Sequence, residues 1–413
     1  MGHLVSMVEL AKLIHIHNPS LSVIIFITPA PFDTSSTENY INTVSATTPS
    51  IKFHRLPTVS LPPDFSTDFI DLAFGIPELY NPIVHNTLVT ISQKSSIKAV
   101  ILDFFSNASF RVSKGLNFPT YYFYTSGASG LCEFLYLTTI HNTTSKNIGE
   151  LNIYFDIPGL PPIHASDMPP VMFDRETNMY KSFIDTSSNM ARSSGLIANS
   201  FAGFEERAVE ALRNAKIFVV VRDPPPDNIE NKSVGEPAEG SFSNIEQQNG
   251  KKKDNENESD SGAKDLGLDD ILPEGFLART ADKGLVVKNW APQPAILGHD
   301  SVGGFVSHCG WNSTLEAVVA GVPMVAWPLY AEQRMNTVFL VEEMKVAVAV
   351  MSADGFVTAE AVEEKVRELM EGEEGRGARE RVLEMSRRAK AAVEDGGSSL
   401  VDFFKLTKSW TQV

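Results

Sequence analysis

The feature that most constrains the fold is an alternation of short apolar runs with helical patterns, repeated in two blocks of the chain. In the first block the apolar runs are at 21–28, 51–56, 97–102, 120–124 and 195–200. In the second block they are at 284–288, 302–307 and 322–327, and helices are predicted over 313–320, 359–370, 375–394 and 398–410. Strands separated by helices of this length favour parallel sheets covered on both faces. The sequence therefore predicts an α/β fold with two doubly wound units.

A polar stretch separates the two blocks. It begins with three prolines, Pro224 to Pro226, and continues to about residue 270 with low hydrophobicity and mixed charge, which is typical of a loop or disordered insert. A chain of 413 residues is also too long for one ordinary core. We therefore expect an N-terminal domain over 1–215, a C-terminal domain over 216–395 that contains the insert, and a final helix over 396–413 that packs back towards the N-terminal domain.

Charge and cysteine content exclude several classes of function. A net charge of −16 argues against nucleic acid or an anionic membrane as a partner, so an anionic substrate needs local donors. The only cysteines, Cys132 and Cys309, are too few for a disulfide framework or a zinc site. No apolar run has the length of a membrane span, and the N-terminus lacks the layout of a signal peptide. We expect a cytoplasmic protein.

A strand, a small polar turn and a helix follow one another at 304–320. The first N–H groups of a helix have no internal partner, and with the helix dipole they form a site for phosphate groups. Gly310 allows close approach, and His308, Asn312 and Ser313 supply donors. Simpler interpretations remain open, because a histidine that ends a strand is often structural and a serine at the start of a helix, such as Ser313, is usually only a cap.

Residues on either side of this turn suit the rest of a nucleotide sugar. Trp290 offers a flat apolar face to a base, whose edge the backbone of Ala291 can contact. Glu316 lies one turn into the helix and suits the hydroxyl groups of a ribose. Glu332 and Gln333 suit the hydroxyl groups of a sugar.

The uninterrupted run from Trp290 to Gln333 resembles the signature box of plant UDP-sugar-dependent glycosyltransferases that act on small molecules. Segments at 195–201, 272–276 and 341–344 also match that family. The resemblance implies the GT-B fold, in which two Rossmann-like domains face each other across a cleft. The N-terminal domain then holds the acceptor and the C-terminal domain holds the donor. UDP-glucose is the implied co-substrate, without a metal or another cofactor.

The resemblance also implies the contacts of the donor: Trp290 and Ala291 with uracil, Gln293 and Glu316 with the ribose, His308, Gly310, Asn312 and Ser313 with the diphosphate, and Trp311, Glu332 and Gln333 with the hexose. Gln333 is similar to the residue of glucose users at this position. Trp311 in place of Arg argues against glucuronic acid.

The N-terminal half resembles the same family. Gly2 to Leu10 match the loop and helix that carry the catalytic histidine, so the resemblance implies that His3 is the general base. Asp103 matches its carboxylate partner, and Thr125 matches a residue near the transferred sugar. A histidine pKa of about 6.5 suits removal of a phenol proton at neutral pH. The implied reaction is inverting transfer of glucose to a hydroxyl of a phenolic, flavonoid-like plant metabolite.

The sequence departs from the family in two places. Gly2 and His3 follow Met1 directly, without the usual first strand. The helix near 205–214 runs almost directly into 216–223, where the family has a linker, the first C-terminal strand and a Gly-Ser loop. We therefore expect each sheet to lack an inner strand.

Two other functions remain as alternatives. One is a truncated, catalytically impaired remnant of such an enzyme that binds UDP weakly or not at all. A nicotinamide-dependent dehydrogenase fits only the doubly wound pattern, since Gly-x-Gly-x-x-Gly is absent after a first strand.

Overall fold

The computed structural model describes residues 2–29, 35–66, 69–213, 217–220, 267–288, 291–351 and 356–411. The chain forms two compact units, a larger one of residues 1–224 and 294–413 and a smaller one of residues 225–293. The insert predicted over 224–270 lies almost wholly outside the described residues.

The described residues form the following helices in chain order: α1 Gly2–His17, α2 Ser35–Thr47, α3 Phe69–Leu79, α4 Asn81–Ser92, α5 Ser109–Gly115, α6 Ala128–Thr143, α7 Asn178–Ala191, α8 Glu206–Arg213, α9 Leu268–Ile271, α10 Phe276–Thr280, α11 Gln293–Leu297, α12 Trp311–Ala320, α13 Gln333–Val338, α14 Ala359–Glu371, α15 Glu373–Val393 and α16 Ser398–Thr411. A π-helical turn, Phe339–Glu343, continues α13. None of these helices is long and apolar enough to cross a membrane.

The described strands are β1 Val23–Ile27, β2 Ile51–Arg55, β3 Val100–Asp103, β4 Thr120–Tyr124, β5 Tyr154–Phe155, β6 Ile163–His164, β7 Gly195–Asn199, β8 Ile217–Val220, β9 Phe305–Ser307, β10 Met324–Ala326 and β11 Ala347–Ala349. Apart from the antiparallel pair of β5 and β6, every pairing is parallel. The parallel arrangement predicted from the alternating pattern is confirmed.

The N-terminal half contains two separate sets of parallel strands. One set is the pair β1 and β2, and the other has the order β3-β4-β7-β8. Both β4 and β7 are buried along their whole length, because helices cover both faces of the sheet around them. The strand β8 pairs with β7, so this sheet continues past residue 215, where the sequence places the domain boundary; residues 214–216 lie outside the described residues.

The C-terminal half contains the strand order β11-β10-β9 in its described part. The helix α12 connects β9 to β10 and ends at Gly321, which has a φ of 75° and closes the helix with bonds to two carbonyls of its last turn. The predicted helix start at Ser313 is wrong by two residues. Gly310 is the N-cap, so Ser313 lies inside the first turn of the helix.

The last helix, α16, contacts the N-terminal half. Its residues Leu400, Phe403, Leu406 and Trp410 join one buried cluster with residues of α1, β4 and β7. The hydroxyl groups of Tyr121 and Ser409 are 2.9 Å apart. These contacts tie the C-terminal helix to the strands that carry the candidate site.

One strand predicted in the smaller unit is wrong. Residues 284–288 were expected to form a strand, but they have no regular secondary structure. Leu285 is 82% exposed and Val287 is 55% exposed. A run of apolar residues forms a strand only where a ladder partner and a packing surface are present.

Candidate active site

The first turn of α1 and the end of β3 bring the two predicted catalytic residues together. The Nδ1 atom of His3 is 2.6 Å from Oδ1 of Asp103. The other carboxylate oxygen, Oδ2, accepts a hydrogen bond of 3.0 Å from the backbone N–H of Phe105, which fixes the carboxylate plane. Because an ionised carboxylate only accepts, the proton lies on Nδ1 of His3 and Nε2 is left as an acceptor.

The surroundings of His3 suit a base that a substrate can reach. Its side chain is 43% exposed, whereas that of Asp103 is 17% exposed. Partial burial alone lowers the pKa of His3, but the charge and hydrogen bond of Asp103, together with the charge of Glu332, outweigh it and raise the pKa. The hydroxyl of Thr125 is 3.3 Å from Nδ1 of the same ring. The structure thus brings His3, Asp103 and Thr125 into contact and places Glu332 near them.

The turn between β9 and α12 is held in a conformation that is rare for its sequence. Cys309 has a φ of 65°, in the left-handed region. Its N–H donates to Oγ of Ser307 at 3.1 Å, and its carbonyl accepts from Nδ2 of Asn336 at 3.0 Å. Strained backbone that is fixed by its neighbours is characteristic of ligand sites. Residues 307–312, which we call the donor turn, are therefore pre-arranged.

Gly310 is required in the donor turn for a steric reason. A Cβ atom at this position would overlap the imidazole ring of His308. The absence of a side chain lets His308 lie across the start of α12, whose first N–H groups point out of the helix. Three of the predicted donor-binding residues are half-buried in this turn or shortly after it: His308, Ser313 and Glu316.

The loop before α13 resembles the donor turn in its backbone. Ala331 has a φ of 54° and precedes Glu332. Gln333 is buried, and its Oε1 accepts hydrogen bonds from the backbone N–H groups of Leu329 at 2.9 Å and Tyr330 at 3.0 Å. The amide oxygen of Gln333 therefore shapes its own loop, a role that the sequence did not predict.

Asn312 links the donor turn to the N-terminal half. Its Oδ1 accepts from Oγ of Ser6 at 3.1 Å and from Nδ2 of Asn199 at 3.3 Å. Its Nδ2 donates to the carbonyl of Gly2 at 3.2 Å. One amide thus joins the start of α12 to the first turn of α1 and the end of β7. The predicted catalytic pair, His3 and Asp103, is therefore linked to the donor turn through the hydrogen bonds of Asn312.

The buried side chain of Trp311 also contacts the N-terminal half. Its Nε1 donates to the carbonyl of Asn199 at 2.6 Å, and its ring lies 5.9 Å from that of Phe204. A Cβ atom at Gly127 would overlap the indole ring. The predicted contact of Trp311 with the hexose stays a prediction, while its packing against the N-terminal half is a second role.

Two buried carboxyl groups near the site, those of Glu205 and Glu133, were not predicted from the sequence. Glu205 accepts hydrogen bonds from the N–H groups of Ala128 at 2.9 Å and Ser129 at 2.7 Å, so it caps the start of α6. Glu133 is buried on the same helix, and its Oε1 has no hydrogen-bond partner. Burial, assisted by the charge of Glu332, raises the pKa of Glu133 to about 8. Neither residue lies in a sequence motif, so no local signal identified them.

The remaining predicted residues lie before the donor turn. Trp290 lies outside the described residues. Ala291 and Gln293 belong to the smaller unit, where the N–H of Gln293 donates to the carbonyl of Ala291 at 2.8 Å. Their predicted contacts with uracil and ribose stay predictions.

The sequence matches a family profile over part of its length, and it matches curated proteins along nearly its whole length. The profile, described as "UDP-glucoronosyl and UDP-glucosyl transferase", matches residues 269–389. The chain is 60% identical to UDP-glycosyltransferase 88B1 of Stevia rebaudiana over 448 positions, which cover 99% of this chain and 96% of that protein. Since 448 exceeds the 413 residues of the chain, the Stevia protein has residues without a counterpart here.

Two further proteins are similar to this chain in both of its halves. An anthocyanidin 5,3-O-glucosyltransferase of a Rosa hybrid cultivar is 43% identical over 462 positions, with 100% of this chain and 97% of that protein covered. The solved structure of a Polygonum tinctorium UDP-glucosyltransferase that glucosylates indoxyl, in complex with 3,4-dichloroaniline, superposes with a TM-score of 0.84 at 29% identity. It covers 100% of this chain and 96% of that chain.

Proposed function

Because the chain belongs to the plant UDP-glycosyltransferase family and has its GT-B fold, we propose that it transfers glucose from UDP-glucose to a hydroxyl group of a phenolic, flavonoid-like metabolite. The names of two relatives support this class of acceptor, since one acts on anthocyanidins and the other on indoxyl. The observation that carries the proposal is the contact of 2.6 Å between His3 and Asp103, next to the donor turn.

The catalytic pair supplies the base for this reaction. The acceptor hydroxyl donates to Nε2 of His3, which takes the proton as the acceptor oxygen forms its bond to the anomeric carbon of glucose. The bond between that carbon and the diphosphate breaks, and its electron pair leaves with UDP. Attack from the face opposite the leaving group inverts the anomeric carbon. Asp103 stabilises the imidazolium that forms, and a base positioned in this way contributes roughly 10²–10⁴ in rate.

The donor turn supplies the stabilisation of the leaving group. The first N–H groups and the dipole of α12 favour the negative charge that develops on the diphosphate. We place His308, Asn312 and Ser313 around it, with Glu316 towards the ribose. In this proposal UDP-glucose is a co-substrate and the reaction needs no further cofactor.

The choice of glucose rests on two residues. The Oε1 of Gln333 is bonded to its own loop. We therefore assign its Nε2 as the donor to a sugar hydroxyl. Trp311 is buried and offers no positive charge to a sugar carboxylate. The family profile includes both glucosyl and glucuronosyl enzymes, so the sugar must be tested directly.

A turnover screen tests the reaction. The protein is incubated with UDP-glucose, UDP-galactose or UDP-glucuronic acid and a panel of flavonoids and simple phenols, and products are separated by chromatography and identified by mass spectrometry. We expect glucosides from UDP-glucose, with the β-configuration in the NMR coupling of the anomeric proton. An α-glucoside contradicts inversion, and faster turnover of UDP-glucuronic acid contradicts the assignment of the sugar.

Calorimetric titration with UDP separates the enzyme from a catalytically impaired remnant. The enzyme must bind UDP, and His3→Ala must bind it as tightly as the original chain because His3 serves the acceptor. Absence of UDP binding by a folded chain contradicts the proposed function.

A further inference from the structure

Asn199 is the last residue of β7 and contacts both parts of the candidate site. Its side chain is buried, and its Nδ2 donates to the carbonyl of Thr125 and to Oδ1 of Asn312, each at 3.3 Å. Its own carbonyl accepts from Nε1 of Trp311. Thr125 lies against His3, whereas Asn312 and Trp311 belong to the donor turn. Asn199 is therefore bonded both to a neighbour of the base and to the donor turn.

The orientation of the Asn199 amide is set by its neighbours. A backbone carbonyl only accepts hydrogen bonds, so the atom of Asn199 that faces the carbonyl of Thr125 must be the nitrogen. The reversed amide would place two acceptor oxygens against each other in a buried position. Oδ1 of Asn199 is buried without a hydrogen-bond partner among the described residues. The two bonds of the nitrogen therefore hold the amide in place.

The Asn199 amide in turn orients the amide of Asn312. Because Nδ2 of Asn199 only donates, the atom of Asn312 that faces it must be the oxygen. The hydroxyl of Ser6, 3.1 Å from the same oxygen, can donate or accept, so it does not select between the two orientations. The carbonyl of Gly2 accepts from Nδ2 of Asn312 at 3.2 Å and favours the same orientation as Asn199 does. A donor on one side and an acceptor on the other thus fix which end of the Asn312 amide is nitrogen.

The two ends of the Asn312 amide differ in their access to solvent. The bonds of its Oδ1 to Ser6 and Asn199 are partly buried, whereas the bond of its Nδ2 to Gly2 is exposed. An amide nitrogen carries two N–H groups, and within the part of the chain that the structure describes this nitrogen has a single acceptor. The second N–H is available at the start of α12, where the helix dipole favours an anion. A reversed amide would offer an oxygen there and repel a diphosphate.

We propose that Asn199 is a positioning residue for the donor, which holds the amide of Asn312 with its nitrogen towards the diphosphate of the nucleotide sugar. This inference rests on the proposed function, because it needs a diphosphate at the donor turn. Asn199 does not touch the donor and acts through Asn312. Since the carbonyl of Thr125 fixes Asn199, the residue that contacts His3 also fixes the orientation of the amide that meets the diphosphate.

The first experiment compares two ligands, UDP and uridine, in the full chain. Their affinities are measured by calorimetry for the original chain and for Asn199→Ala, with uridine followed by its competition with UDP. Without the donor on Asn199, the amide of Asn312 can turn its oxygen to the diphosphate, so UDP affinity should fall about fivefold. Uridine has no phosphate, so its affinity should stay within about twofold.

Asn189→Ala is the matched control for a purely structural effect. Asn189 is 2% exposed and Asn199 is 1% exposed. Nδ2 of Asn189 also donates to two oxygens, Oδ1 of Asn107 at 3.0 Å and Oδ2 of Asp185 at 3.1 Å. Both substitutions delete two hydrogen bonds of a buried amide, so both should lower the midpoint of urea unfolding, but only Asn199→Ala should weaken UDP binding. An equal loss of UDP affinity in the two variants overturns the proposal.

A double-substitution cycle tests whether Asn199 acts through Asn312. Asn312→Ala removes the amide that Asn199 orients, so adding Asn199→Ala in that background should change UDP affinity by less than about twofold. The same loss in both backgrounds indicates an independent role of Asn199 and overturns the proposal. If Asn199→Ala does not fold, Asn199→Ser takes its place in the cycle, because serine fits the same space but is too short to reach both oxygens.

The outcomes separate this inference from the proposed function. Absence of UDP binding by the original chain overturns both. UDP binding that Asn199→Ala leaves unchanged, or an equal loss of UDP and uridine affinity, overturns the inference alone. A loss that is restricted to UDP, and that is absent both in Asn189→Ala and in the Asn312→Ala background, supports it.

Discussion

The catalytic pair and the donor turn differ in how firmly the surrounding structure holds them. The donor turn is fixed by Ser307, Asn336 and Trp311, and it follows β9, which pairs with the buried strand β10. His3 lies in the first turn of a helix that packs against two separate sets of parallel strands, and its ring is hydrogen-bonded to Asp103. The comparison teaches that the backbone of the donor turn is pre-arranged, whereas the orientation of His3 depends on a few long-range hydrogen bonds.

The largest effect is expected at the base. His3→Ala removes the proton acceptor, so kcat with UDP-glucose and a neutral phenol should fall by roughly 10²–10⁴. UDP affinity should not change. The control is His15→Ala, which removes a half-buried histidine from the same helix. Equal activity of His3→Ala and His15→Ala would refute the assignment.

The effect of Asp103 on the pKa of His3 can be measured from the pH dependence of kcat/KM. Asp103 raises the pKa of His3, so Asp103→Asn should lower that pKa, and the acid limb of kcat/KM should move to lower pH. The rate plateau should fall because the amide does not fix the tautomer. Asp402→Asn, which breaks an ion pair on α16, serves as the control. An unmoved acid limb in Asp103→Asn contradicts the pairing.

The carboxyl of Glu133 contrasts with that of Asp103, since its buried Oε1 has no hydrogen-bond partner. Its raised pKa means that the folded state binds a proton more tightly than the unfolded state does. Stability is therefore lost as the pH rises from the unfolded pKa to about 8. Glu133→Gln removes this loss and should stabilise the protein at pH 8 by on the order of 2–4 kcal/mol, measured by urea unfolding. The gain should vanish near pH 4, and Glu342→Gln, at an exposed site, should show none.

The donor turn is tested through its glycine. Gly310→Ala forces the ring of His308 away from the start of α12, so UDP affinity should fall about tenfold or more, as measured by calorimetry. Gly377→Ala is the matched control, because a Cβ atom there meets nothing within 4 Å. Should the two variants bind UDP equally, the donor turn does not hold the diphosphate.

The smallest effect is expected at the link between the two regions. Ser6→Ala deletes one hydrogen bond to Asn312, worth about 1 kcal/mol, so kcat/KM should fall about fivefold. Ser45→Ala removes a hydroxyl that bonds only within its own helix and should leave turnover unchanged. A Ser6→Ala enzyme with full activity would show that the two regions act independently.

Local patterns predicted the elements and the donor turn, but not the contacts that join them. The alternation of apolar runs identified β1, β4, β7 and β10 because strand and helix periods are properties of neighbouring residues. It failed at 284–288, where Leu285 and Val287 are exposed.

The roles of Ser6, Asn199 and Glu205 could not be predicted from local pattern. Their partners Asn312 and Ala128 are distant along the chain. Asn199 lies in the matched segment 195–201 and at the end of a strand, which was the one available signal. The roles of Gln333 and Trp311 beyond sugar contact likewise depend on packing that the sequence does not show.

The most direct test of the central claim, that His3 removes the acceptor proton, compares two acceptors in His3→Ala and the original chain. One acceptor is a phenol that is neutral at the assay pH, and the other is an acidic phenol that is already ionised and needs no base. We predict that His3→Ala loses turnover of the neutral phenol and keeps turnover of the ionised phenol within a few-fold. An equal loss with both acceptors, or no loss with either, would contradict the claim.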